Sequence, residues 1–140
     1  MTESPKRILI VDDEPGVVDV LTDYFTHQYG KRGWVVEAAM NGPDGLAAVM
    51  RNRPDLVLLD IDMPGMTGVE VLMKIHALDR SIPVMMITGN ASVRIAGQVI
   101  EAGATSYVPK PFNFQYLEHM VASLLLRPGE SGTTRPGKPA

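Results

Sequence analysis

Leu56-Val57-Leu58-Leu59-Asp60 is a run of four apolar residues closed by an acid, and Ile61-Asp62-Met63-Pro64-Gly65-Met66-Thr67-Gly68 follows it. A strand with one wet face alternates apolar and polar side chains, whereas a strand covered on both faces does not. The run therefore predicts a strand inside a sheet that carries helices on both sides. Pro64, Gly65 and Gly68 shape the loop behind it, and Val69, Leu72, Met73 and Leu78 mark the next helix. Met63, Met66 and Met85 read as core or loop packing, the ordinary use of a flexible thioether.

The same rhythm extends in both directions. Upstream, Arg7-Ile8-Leu9-Ile10-Val11 is a second doubly buried strand, and Pro15 suits the first position of a helix whose apolar face is Val17, Val18, Leu21, Tyr24 and Phe25. His27 to Gly33 reads as a long polar loop leading to a strand at Trp34-Val35-Val36. Asn41 is placed to cap a helix with Leu46, Val49 and Met50 facing inward, stopped by Pro54. Downstream, Val84-Met85-Met86-Ile87 predicts a strand, Val93, Ala96 and Ile100 one face of a helix ending at Gly103, Ser106-Tyr107-Val108 a short strand, and Phe112 to Leu126 a last helix. Five strands, each followed by a helix, require right-handed crossovers and a parallel α/β sheet. A closed eight-unit barrel needs roughly 250 residues, so the sheet is open and doubly wound, a flavodoxin-like arrangement with the common strand order 2-1-3-4-5. Residues 6–126 form the expected domain, and the Gly-, Pro- and Ser-rich residues 127–140 a flexible tail or linker.

Composition narrows the function classes. Apolar residues make up 45%, charged residues 21%, and the net charge of −3 comes with no lysine or arginine stripe, so direct nucleic-acid binding is not indicated. There are no cysteines, which removes thiolate nucleophiles and zinc–sulfur sites. No apolar run approaches the ~20 residues of a membrane span, and no signal-peptide pattern opens the chain, so the expected location is cytoplasmic. His27, His76 and His119 lie far apart and away from the acids, as surface or packing residues.

The chemistry gathers at the strand ends. Asp12 and Asp13 close the first strand, Asp60 the third, Thr88 the fourth, and the fifth runs into Lys110. Singly, each is an ordinary helix cap or surface charge. Together they share the carboxyl edge of the sheet, where open α/β folds bind ligands at the point of strand reversal. Three clustered carboxylates repel unless one protonates or a cation intervenes. With no histidine or cysteine beside them, the cation is a hard one, Mg²⁺, bound by one or two carboxylates and a backbone carbonyl near Asp62. A carboxylate, Mg²⁺, a lysine and a hydroxyl around one point describe an aspartyl-phosphate site.

The strings ILIVDDEP, LVLLDIDMPGMTG, PVMMITG and GATSYVPKPF, in this order over roughly Lys6 to Leu126, resemble the receiver domain of two-component response regulators. The resemblance implies Asp60 as phosphoacceptor, Asp12 and Asp13 as the metal pair with Asp60 and the Asp62 carbonyl, Thr88 as the switch hydroxyl and Lys110 as the phosphoryl contact. It implies Tyr107 as the aromatic that changes rotamer, and a cis bond between Lys110 and Pro111. The implied partners are a sensor histidine kinase or phosphotransfer protein, then an output domain or partner protein, with a phosphorylation-linked homodimer as an option. The chain is expected to be either a stand-alone receiver or the front end of a longer regulator. Its only expected chemistry is its own phosphorylation and dephosphorylation. Asp62 and Asn90, flanking Asp60 and Thr88, bear on how long the phosphate lasts; Asp62 can either position the attacking water or repel it.

LVLLDIDMPGMT also resembles the opening motif of haloacid-dehalogenase-type phosphatases, with Asp60 as nucleophile and Asp62 as acid/base. That family places its acid pair after the lysine, whereas Asp12 and Asp13 precede Asp60 and no acid pair follows Lys110. A degenerate receiver that only binds partners is the third alternative, and the filled polar positions argue against it.

Overall fold

A computed structural model describes residues 5–89 and 93–126. The tail assigned to 127–140 and the position Asn90 lie outside the described residues. The strands are β1 (Arg7–Val11), β2 (Val35–Ala39), β3 (Leu56–Asp60), β4 (Val84–Thr88) and β5 (Ser106–Pro109). The helices are α1 (Pro15–Tyr29), α2 (Gly42–Arg51), α3 (Gly68–Leu78), α4 (Val93–Glu101) and α5 (Phe114–Leu125). All strand pairs are parallel and the order is β2-β1-β3-β4-β5, the doubly wound α/β arrangement read from the sequence.

Strand period divides the core cleanly. Leu9, Val11, Val57, Leu59, Val84 and Met86 pack on one face with Ala48 and Val49 of α2, Val71, Leu72 and Ile75 of α3, and Val99 of α4. Ile8, Ile10, Leu56, Leu58, Met85, Ile87 and Val108 pack on the other with Val18, Leu21 and Phe25 of α1 and Leu117 and Val121 of α5. Both faces of β3 are fully covered, which is why its sequence does not alternate. Burying each such aliphatic side chain contributes about 1.5–3 kcal/mol.

Helix starts follow the local chemistry. Pro15 opens α1. Asn41 caps α2 by accepting the Asp44 N–H at 2.8 Å, and Thr67 with Glu70 forms a complete capping box on α3. Among the described residues no helix is long and apolar enough to cross a membrane.

Several local expectations are corrected. His27 to Gly33 is not a polar loop: α1 continues to Tyr29 and a 3-10 turn spans Gly30–Arg32, ending in the left-handed Gly33 (φ 78°). Trp34 precedes β2 and stacks on Tyr29 with ring centroids 4.1 Å apart. Met50 is 72% exposed, and among the described side chains of α4 Val99 is buried while Ile100 faces out. Phe112 lies before α5, whose cap is Asn113. The histidines are as expected: His76 is held by the Ile82 carbonyl at 3.1 Å, away from the acids.

Candidate functional site

The register of the three central strands brings the predicted polar residues together. Val11 is level with Leu59, and Asp60 with Ile87, so the residues just past β1 and at the ends of β3 and β4 share one edge. Asp12, Asp60 and Thr88 are the buried polar residues of the core, and Thr88 is 1% exposed. Lys110 follows β5; its backbone N–H donates to the Thr88 carbonyl at 2.8 Å, and the Lys110–Pro111 bond is cis as expected. Asp13 is half-buried and Asp62 exposed.

Asp12, Asp13 and Asp60 each place one carboxylate oxygen within 4.8 Å of the other two. Asp12 Oδ1 accepts the Glu14 N–H at 2.9 Å. Asp12 Oδ2 is buried and accepts no hydrogen bond, although the Lys110 ammonium stands 3.4 Å away. Asp60 Oδ1 accepts the Asp62 N–H at 3.1 Å and lies 3.8 Å from Lys110 Nζ. Lys110 Nζ is bound most closely by Glu14 Oε1, at 2.6 Å.

The electrostatics follow from burial. Desolvation, then the charge of Asp12, pushes the Asp60 carboxyl up to about 7, against the pull of the Asp62 N–H and Lys110. Burial likewise raises Asp12, opposed by the Glu14 N–H and by Lys110. For Lys110, burial favours the neutral amine, but the Glu14 hydrogen bond and the charges of Asp60 and Asp12 outweigh it and hold the group above its ordinary value.

A buried carboxylate oxygen without a hydrogen bond, inside a cluster of three acids with no soft ligand, fits a hard divalent cation. A measurable consequence follows for the metal-free chain. The folded pKa of Asp60, about 7, lies above the unfolded value. Its stabilising contribution is therefore complete below about pH 4 and is lost as pH rises through about 7. A divalent ion bound there would favour the ionised form and reverse that loss. Adding Mg²⁺ should raise the melting temperature more at about pH 8 than at about pH 5, and an equal effect at both would count against metal binding to Asp60.

Tyr107 is half-buried on β5, level with Met86, and packs against the core on the α3 and α4 side. Two residues that the sequence reading did not single out also define the site. Glu14 was passed over because its contact with Lys110 spans 96 positions of sequence. Gly68 was read only as loop shaping, yet a Cβ there would lie 2.2 Å from the Asp60 carbonyl oxygen. The Gly at that offset behind Asp60 was the available signal.

Residues 8–122 match the response regulator receiver domain family. The transcriptional regulatory protein PrrA of Mycobacterium tuberculosis is 38% identical over 132 residues, covering 91% of this chain and 53% of PrrA. Sporulation initiation phosphotransferase F of Bacillus subtilis is 35% identical over 120 residues, covering 86% of this chain and 94% of that protein. The solved CheX-CheY-BeF3-Mg+2 complex of Borrelia burgdorferi aligns with a TM-score of 0.77 at 26% identity, covering 88% of this chain and 91% of the matched chain. The chain spans about half the length of the first curated relatives that it matches.

Proposed function

Because this chain belongs to the response regulator receiver domain family, we propose that it is the phosphoacceptor module of a two-component system, with Asp60 as the acceptor. The observation that carries the reading is the convergence of Asp12, Asp13 and Asp60 with the Lys110 ammonium on the carboxyl edge of the sheet.

The donor is a phosphohistidine on a sensor histidine kinase or a phosphotransfer protein. An oxygen of the Asp60 carboxylate attacks phosphorus in line; a P–O bond forms, the P–N bond to the donor imidazole breaks, and the imidazole leaves with the bonding pair and takes a proton. Asp12, Asp13 and Asp60, with the Asp62 carbonyl, would hold Mg²⁺, which when bound would supply positive charge against the phosphoryl oxygens. Lys110 is the second counter-charge, already within 3.8 Å of Asp60. The Thr88 hydroxyl donates one hydrogen bond to the phosphoryl group. The acyl phosphate is later lost to water, and Asp62, two residues past the acceptor, bears on how long it lasts. The chain acts once per phosphorylation event, as a signalling module rather than a turnover enzyme.

The output is a two-state change. Movement of Thr88 toward the phosphoryl oxygens vacates space for Tyr107, and the surface of α4, β5 and α5 repacks. That surface meets an output domain or partner protein, or a second phosphorylated copy. The name of PrrA supports transcription as the controlled process, acting through a part beyond the matched half or through a partner, since this chain carries a net charge of −3 and no basic stripe. The same reading places the chain in the cytoplasm with its kinase.

Titration with beryllofluoride and Mg²⁺, followed by NMR, tests the reading. The expected result is saturable shifts at Asp60 and Lys110 that spread to Thr88, Tyr107 and α4. Shifts confined to the acids would leave binding without the switch, and no shifts would favour a receiver that only docks partners.

A further inference from the structure

We propose that Glu14 is a positioning residue of this site, one that holds the Lys110 ammonium in the resting chain and competes for it with the phosphoryl group on Asp60. The proposal rests on the phosphoacceptor reading above. Three carboxylates surround Lys110 Nζ, and Glu14 Oε1, at 2.6 Å, is by far the nearest; Asp12 Oδ2 and Asp60 Oδ1 are 3.4 Å and 3.8 Å away. The outer acid is thus the nearest partner of a lysine that also pairs, at longer range, with Asp12 and the acceptor.

Glu14 is held in place to do this. Its N–H donates to Asp12 Oδ1 at 2.9 Å, and its carbonyl accepts the N–H groups of Val17 and Val18, each at 3.1 Å. It occupies the cap position of α1 with extended backbone, yet its side chain makes no capping hydrogen bond. The carboxylate is committed to Lys110 instead of to the helix. The contact ties the loop after β1 to the loop after β5 across the mouth of the site.

The hold is weak by construction. The Glu14 side chain is 60% exposed, and an exposed ion pair is screened by water and salt. Lys110 carries its charge on a flexible four-carbon stem, so Nζ can swing inward when a phosphoryl group adds negative charge beside Asp60. Every phosphorylation then has to break the Glu14 contact, which lowers occupancy at a given donor concentration.

The test uses the full chain and its Glu14→Gln and Glu14→Ala variants. In metal-free protein, the Lys110 side-chain ammonium should give a protected NMR signal that is lost in both variants. Beryllofluoride with Mg²⁺ should bind the variants about two- to fivefold more tightly than wild type, with the difference shrinking at high salt. A merely structural role for Glu14 predicts weaker binding instead. Equal or weaker mimic binding in the variants overturns the proposal whatever the ammonium signal does. A wild-type chain that binds no beryllofluoride overturns the phosphoacceptor reading itself, a result distinguishable from binding that is equal in all three proteins.

Discussion

Asp60→Asn should reduce phosphorylation by acetyl phosphate to background while the chain stays folded. The amide has no carboxylate oxygen to attack phosphorus, and its carbonyl can still accept the Asp62 N–H that Asp60 Oδ1 accepts at 3.1 Å. The substitution also removes one of three clustered negative charges. Since burial and Asp12 raise the Asp60 carboxyl to about 7, ionisation at neutral pH costs the metal-free fold stability that the amide does not lose. The variant should therefore be more stable than wild type by on the order of 1 kcal/mol without Mg²⁺, and the advantage should fall when Mg²⁺ is added. Thermal melts with and without the ion, beside a labelling assay, measure both effects. Labelling that persists at the wild-type level would transfer the acceptor role to another residue.

Gly68→Ala should damage fold and site together. Alanine at an ordinary helix position stabilises by about 0.5–1 kcal/mol over glycine. Here the new Cβ would stand 2.2 Å from the Asp60 carbonyl oxygen and 2.7 Å from the Ile61 Cα. Both are backbone atoms of the acceptor segment and neither can rotate away. Gly68 N–H also donates to the Ile61 carbonyl at 3.0 Å, so the two segments are tied at this approach. Relief requires moving α3 away from β3, and the steric cost exceeds the helical gain. The expected loss is about 3 kcal/mol or more, read from denaturant unfolding. Gly16→Ala is the control: nothing lies within 4 Å of a Cβ there, so that variant should match wild type or exceed it slightly. If both substitutions are neutral, the close approach behind Asp60 does not exist in solution.

The central strands were legible because burial on both faces leaves a one-dimensional mark, an unbroken apolar run, as in Leu56 to Leu59. The site residues were legible for a related reason. In a parallel sheet every strand ends at the same edge, so acids at the ends of β1 and β3, Thr88 and Lys110 had to converge whatever the loops did. Elements at the rim of the fold were harder to read. Strand β2 lies at the sheet edge and is only partly covered, so Glu37 interrupts its apolar pattern and Trp34, the strongest apolar residue nearby, belongs to the stack on Tyr29 instead. The polar stretch from His27 hid a continuing helix because Tyr29, fully buried, anchors the last turn of α1. In α4 Ile100 was placed on the face that Val99 buries, because the adjacent apolar pairs Ile95-Ala96 and Val99-Ile100 leave a short helix two possible apolar faces. The Glu14–Lys110 contact left no mark at all, since an ion pair between distant loops has no periodicity.

Asp60 is the residue on which the proposed function depends, and the position of the covalent phosphoryl group tests it without an intermediary. The chain is incubated with acetyl phosphate and Mg²⁺, the acyl phosphate is trapped by borohydride reduction, and the modified residue is located by tandem mass spectrometry. The expected result is a single modification, dependent on Mg²⁺, at Asp60. Modification at Asp12, Asp13 or Asp62 in its place, or no modification of a folded chain, would contradict it.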